Sequence, residues 1–179
     1  MRSYELQLVN REKELRGVFK ETERAAEIAG LIGREKLQLL LLAEETISML
    51  RSITGEINAC FWIVWEGKDF QIHLNARQKL GNEQRGQLIR SSTSQTNDAA
   101  KTFLGKLRDA FEQAMSIQRD ISNYYSASGV SRSADPSDEI IQKEKWDEYE
   151  RSILLSVADN VSISIRGGFV EMVISKKFP

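Results

Sequence analysis

The chain has one cysteine and one histidine among its 179 residues. Cys60 alone cannot form an intramolecular disulfide, and Cys60 with His73 provides too few ligands for a cysteine–histidine zinc site. Carboxylate oxygens could still hold magnesium. No apolar run reaches the roughly 18 residues of a membrane-spanning helix, and no apolar secretory core follows Met1. We therefore expect a cytoplasmic protein with no membrane contact.

A large excess of charge of either sign is also absent. The chain carries 25 basic and 26 acidic residues, and its net charge is -1. A balanced composition lacks the basic field that nucleic-acid binding needs, so we expect no nucleic-acid partner. The length and the 41% hydrophobic content are sufficient for one core, which predicts a single domain over residues 1–179.

The most apolar stretch is LQLLLLAEETISMLR, at residues 37–51. It lacks glycine and proline and consists largely of helix-forming residues, which predicts a buried helix over about residues 34–52. Glu44 follows Leu37 and Leu41 on one helical stripe. This carboxylate lies either at the rim of a core or in a pocket.

These two placements of Glu44 give different chemistry. In a pocket, its carboxylate could act as a base. At a rim, Glu45 would be solvated and Glu44 would pair with a cation such as Arg51, because an isolated buried charge is costly.

Hydrophobic periodicity predicts alternating groups of helices and strands along the rest of the chain. The alternation at residues 58–65 and 70–76 indicates a hairpin, as do Val161, Ile163 and Ile165 before Gly167 and Gly168. The other predicted elements are a strand at 3–10, a helix at 11–29 ending at Gly30, a short helix within 81–95, helices at 97–124 and from 137 to about 157, and a flexible linker at 126–137. This order predicts an α+β two-layer sandwich: one mixed, mostly antiparallel sheet with helices on one face.

The first predicted hairpin contains three candidate polar or aromatic positions. Period two places Phe61 and Trp65 on one face and Trp62 on the other. His73 shares a face with Asn75, and we expect it to be an exposed strand histidine. Cys60 is expected to be a buried strand residue without a nucleophilic role.

A hydroxyl-rich segment, residues 91–97, precedes a predicted helix. It could bind phosphate through hydroxyls, backbone N–H groups and the helix N-terminus, or it could be a polar capping loop. The candidate binding residues are Ser91, Ser92, Thr93, Ser94, Asn97 and Lys101.

This order of elements resembles the Bergerat (GHKL) ATP-binding fold, and most closely the bacterial anti-sigma-factor serine kinases. Two segments are similar to that family: LLAEETISML at residues 41–50 resembles its magnesium-binding helix, and residues 152–178 resemble its closing helix and two strands. The resemblance implies that Glu44 occupies the position of the general base. Ser48 stands where the family has a magnesium-binding asparagine.

Other family motifs are replaced. Asn75 is the nearest polar substitute for the adenine-binding aspartate, and the 91–97 segment with Lys101 takes the place of the glycine-rich lid, within a variable insertion at 81–137. With these substitutions we expect a regulatory protein that binds another protein or itself, with weak or no nucleotide turnover. The alternative is a divergent ATP-dependent serine kinase or ATPase. The resemblance implies ATP and magnesium as cofactors of that alternative.

Overall fold

The structure is a computed structural model, described here for residues 1–9, 12–55, 57–100 and 153–179. Its regular elements are helices and strands, and residues 153–157 are also helical. In chain order they are β1 (Leu6–Leu8), α1 (Glu12–Ile28), α2 (Gly33–Thr54), β2 (Ala59–Glu66), β3 (Asp69–Arg77), α3 (Asn82–Arg90), a 3₁₀ turn (Asp98–Ala100), β4 (Asn160–Arg166) and β5 (Phe169–Lys177).

The five strands form one open sheet in the order β1-β2-β3-β5-β4. Every pairing among them is antiparallel. The predicted α+β class is therefore confirmed, but the expectation of a mixed sheet is wrong for the described strands. The reason is local: β2–β3 and β4–β5 are each joined by a tight turn, which can only connect antiparallel neighbours.

Both predicted hairpins are present, and the second shows why its turn contains two glycines. Gly167 and Gly168 have φ angles of 59° and 81°. A type I′ turn, which matches the twist of its strands, needs positive φ at both central positions, and glycine adopts such angles without a steric penalty.

The helices contact one face of the sheet. Helix α1 contacts β1 and β2, α2 contacts β3 and β5, and α3 contacts β4. The core between the layers combines Leu39, Leu42, Ala43 and Leu50 of α2 with alternate residues of the strands, including Phe61, Ile63, Phe70, Ile72, Leu74, Ile163 and Met172. The alternation buries one side of each strand and leaves the other side half-buried or exposed.

The predicted helix boundaries differ from those of the structure by one or two residues. Helix α1 ends at Ile28, and Gly30, with φ 73°, follows it. The N–H of Leu31 donates to Ala26 O at 2.9 Å and that of Gly30 to Glu27 O at 3.1 Å, which is a Schellman motif.

Several predictions fall outside the described residues. They are the 126–137 linker, the parts of the 97–124 helix and of the 81–137 insertion that follow Ala100, and the part of the last helix before Ile153. Within the described ranges, no helix has the length and apolarity needed to cross a bilayer.

Candidate functional site

Glu44 lies on the outer face of α2, away from the sheet. Leu39, Ala43, Ile47 and Leu50 form the buried side of this helix, while Glu44 is exposed. At 100° per residue, position 44 lies about 150° from the centre of the arc that all eight buried residues of this helix cover. Within the part of the chain that the structure describes, the carboxylate is therefore neither enclosed in a pocket nor under the core.

The expected ion pair with Arg51 is not formed. Among the described residues, Glu44 has no salt bridge. An exposed carboxylate is stabilised by water and needs no cation. Glu45, expected to be solvated, is instead half-buried, as is Ser48.

Asn75 lies on the opposite side of the sheet from α2. Its neighbours Leu74 and Ala76 are buried against the helices, so the alternation of β3 directs Asn75 to the other face. There it pairs by register with Cys60 of β2 and Glu171 of β5. The sheet therefore separates Asn75 from Glu44 and Ser48.

The hydroxyl groups at the start of the 91–97 segment bind the end of α3. Ser91 Oγ donates to Gln87 O at 2.9 Å, and Ser92 Oγ donates to Ile89 O at 2.8 Å. Both serines are buried, with 3% and 1% of their surface exposed. They act as helix-capping groups rather than as a cradle open to an anion.

Thr93 binds the outer edge of β4. Its N–H donates to Val161 O at 2.8 Å, and its Oγ1 accepts from the N–H of Val161 at 2.8 Å. This pair of bonds replaces the contacts that a further strand would make. Ser94 and Thr96 are exposed and hydrogen-bond to each other.

Asn97 repeats this arrangement four residues further along. Its Nδ2 donates to Ile165 O at 2.9 Å, and its Oδ1 accepts from the N–H of Ile165 at 2.8 Å. The same Oδ1 accepts from the N–H of Ala99, so Asn97 caps the 3₁₀ turn that follows it. Only 6% of Asn97 is exposed. We call Thr93 and Asn97 together the edge clasp.

The structure therefore does not bring the candidate residues together. Glu44 and Ser48 lie on the outer face of α2, Asn75 lies on the far face of the sheet, and the edge clasp lies along β4. Lys101 is outside the described residues. No family model, curated protein or solved structure matches the chain. No group of three histidine, cysteine or acidic side chains in the described ranges is arranged to hold a metal ion.

The far face of the sheet contains a stacked pair of rings, Trp62 and His73, that the sequence patterns did not predict. Trp62 and His73 are directly opposite each other on β2 and β3, and their rings stack with centroids 4.9 Å apart. The guanidinium of Arg2 lies 5.1 Å from the centroid of Trp62. Since both ring residues are half-buried, the expectation of an exposed His73 is wrong. The cause is the large indole directly across the strand pair.

The environment of His73 disfavours its protonated form. Burial lowers the pKa of His73, the positive charge of Arg2 lowers it further, and the carboxylate of Glu171 acts in the opposite direction. The two imidazole nitrogens are buried and find no hydrogen-bond partner among the residues that the structure describes. Cys60, on the same face, is half-buried rather than buried, and Gln7 Nε2 donates to its Sγ at 2.9 Å.

A groove of about 560 Å³ lies between the N-terminal segment and α1. Its lining includes Met1, Tyr4 and Ile28, whose exposed fractions are 76%, 67% and 51%. Arg24 lies 5.1 Å from the centroid of the Tyr4 ring. This groove adjoins β1, which is an edge strand of the sheet.

Proposed function

We propose that the chain is a regulatory or interaction protein on a Bergerat-type ATP-binding fold, with weak or absent nucleotide turnover. One observation carries this proposal: the polar residues that would have to replace the lost ATP motifs are dispersed. Asn75 lies across the sheet from Glu44, and Thr93 and Asn97 are bound to β4. A base without positioned phosphate ligands lacks the geometry that phosphoryl transfer needs.

The binding surface in this proposal is β1 with the groove beside α1. Edge strands have backbone groups available for pairing with another chain, and β1 is only three residues long. Exposed Tyr4 and Ile28 add apolar area next to that edge. The partner is another protein or a second copy of this chain.

Self-association tests this surface directly. Light scattering after size exclusion should give a dimer mass for the wild type and a monomer mass for Tyr4→Lys with Ile28→Lys. The matched control is Leu37→Lys, because Leu37 is 66% exposed on α2 and does not line the groove. A monomeric wild type would leave only a different protein as the partner. Equal dissociation by the control would rule out the groove.

The alternative is a divergent ATP-dependent serine kinase or ATPase with Glu44 as its base. The exposure of Glu44 supports it, because the carboxylate is accessible to a substrate hydroxyl or water. Calorimetric titration with ATP and magnesium separates the two functions. We expect no saturable binding. Sub-millimolar binding that Glu44→Ala abolishes would overturn the interaction proposal and favour the enzyme.

A further inference from the structure

Three residues on adjacent strands form one row across the far face of the sheet. Arg77 of β3 is directly opposite Phe169 of β5, and Phe169 is directly opposite Arg166 of β4. Neighbouring strands lie about 4.8 Å apart, so the two arginine backbones are roughly 10 Å apart with the phenylalanine between them. We call this row the Arg–Phe–Arg rung.

The rung is exposed although it belongs to the regular part of the sheet. Half of the surface of Phe169 is accessible, and both arginines are exposed. The guanidinium of Arg77 lies 5.9 Å from the centroid of Phe169, a cation–π contact that keeps the charge beside the ring. Within the described residues, neither arginine forms a salt bridge.

Backbone hydrogen bonds hold the rung in place. The N–H of Arg77 donates to Asn58 O at 3.1 Å, and that of Gln78 donates to Gly168 O at 2.9 Å. The β4–β5 turn is therefore attached to the chain just after β3. A partner would not have to order this backbone, which reduces the entropic cost of binding.

A single exposed phenylalanine at a hairpin end is common and by itself indicates nothing. Here it lies in register between two arginines, for which the described part of the chain provides no carboxylate partner. Guanidinium groups bind carboxylates through paired, charge-assisted hydrogen bonds, and an exposed aromatic ring can hold an apolar side chain. Exposed Lys79 adds a further positive charge close in the sequence, and Glu171 limits the basic patch two residues along β5.

We propose that the rung binds an acidic segment of a partner protein, in which carboxylates flank an apolar side chain. In an extended segment, residues two before and two after the apolar residue share its face, and they are about 13 Å apart. Flexible arginine side chains can reach both carboxylates. This inference rests on the proposed function only in that the chain acts by binding proteins. It uses a surface separate from the β1 groove.

The test uses a fluorescein-labelled peptide with a central leucine and glutamates two residues on either side, in a serine background. Fluorescence anisotropy at low salt should show saturable binding to the full chain. A peptide with glutamines in place of the glutamates should have an affinity at least about tenfold lower, as expected for loss of charge-assisted hydrogen bonds. A peptide with a central serine tests the contribution of Phe169.

Protein variants identify the surface. Arg77→Glu with Arg166→Glu should abolish peptide binding, and Phe169→Thr should weaken it. The charge-matched control, Arg16→Glu with Arg34→Glu, changes exposed arginines on α1 and α2 and should bind as the wild type does. Circular dichroism establishes that each variant is folded. Equal losses in the rung variant and this control would overturn the proposal.

Two further outcomes are decisive. No peptide binding by the wild type, or binding only to vesicles that contain phosphatidylserine, would overturn the inference. The Tyr4→Lys, Ile28→Lys variant should retain peptide binding. Loss of self-association with intact peptide binding would therefore distinguish failure of the groove from failure of the rung.

Discussion

The two edge strands of the sheet, β1 and β4, end it in different ways. The outer backbone groups of Val161 and Ile165 in β4 are bound by the edge clasp, Thr93 and Asn97. On the other side, β1 has three residues, and the segment before it is attached to β2 by the Arg2–Val64 bridge and by Ser3. An edge occupied by its own chain cannot accept another strand, whereas a short edge only discourages pairing. The comparison indicates that partner binding by strand addition would occur at β1.

Removing the Asn97 side chain should have the largest effect on the contrast between the β1 and β4 edges. Asn97→Ala leaves the buried N–H and C=O of Ile165 without their partners, and we expect the free energy of unfolding to fall by about 2–4 kcal/mol. Urea denaturation followed by circular dichroism measures the change. Ser94→Ala is the control because Ser94 is exposed, and its effect should be below about 0.5 kcal/mol. Equal effects at both positions would mean that the clasp does not stabilise β4.

A milder substitution should open the same edge without a large loss of stability. Thr93→Val preserves the side-chain shape but removes the acceptor for the N–H of Val161. We expect a loss of about 1 kcal/mol and faster hydrogen–deuterium exchange at Val161. Exchange at Ser3 should be unchanged, because it donates to Ile63 on the opposite edge. Faster exchange at both edges would indicate global destabilisation instead.

Mild acidification should weaken the β1 side of the sheet more than the β4 side. Burial lowers the pKa of His73 below its ordinary 6.5, so the unfolded chain binds the proton first as the pH falls. The stability contributed by neutral His73 is therefore complete above about pH 6.5 and is lost as the pH falls below it. Protonation also places a second cation beside Trp62, next to which the guanidinium of Arg2 already lies, and the carboxylate of Glu171 opposes this repulsion.

The measurement is the urea midpoint between pH 7.5 and 5, with amide exchange at Ser3 and Trp65 corrected for intrinsic rates. His73→Gln should remove part of the pH dependence, and exchange at Val161 and Ile165 should change less than at the β1 side. An unchanged pH dependence in His73→Gln would show that other groups control it.

Local patterns in the sequence were sufficient to predict most of the fold. The alternation of β2 and β3 placed Phe61 and Trp65 on one face and Trp62 on the other, and the structure confirms both placements. The paired glycines after Arg166 predicted the second turn because a type I′ turn needs two positive φ angles, which Gly167 and Gly168 adopt. These features depend on neighbours within a few residues, which a sequence contains directly.

The candidate site could not be predicted in the same way. The composition of residues 91–97 fits a phosphate-binding loop and a capping loop equally well. The β4 residues that Thr93 and Asn97 bind are 68 positions further along the chain. The half-burial of His73 depends on which residue of β2 lies across from it, and thus on register. The resemblance supplied a role for Glu44, but only the burial pattern of α2 placed it on the outer face.

The distance in sequence between the edge clasp and β4 also has a consequence for the order of folding. The β2–β3 and β4–β5 hairpins close over two-residue turns, so they can form early, whereas the clasp must close a loop of 68 residues. We expect its bonds to be absent from the transition state. Loss of the Asn97 side chain should then accelerate unfolding and leave the refolding rate nearly unchanged. The clasp would thus determine how long the sheet stays closed rather than how quickly it assembles.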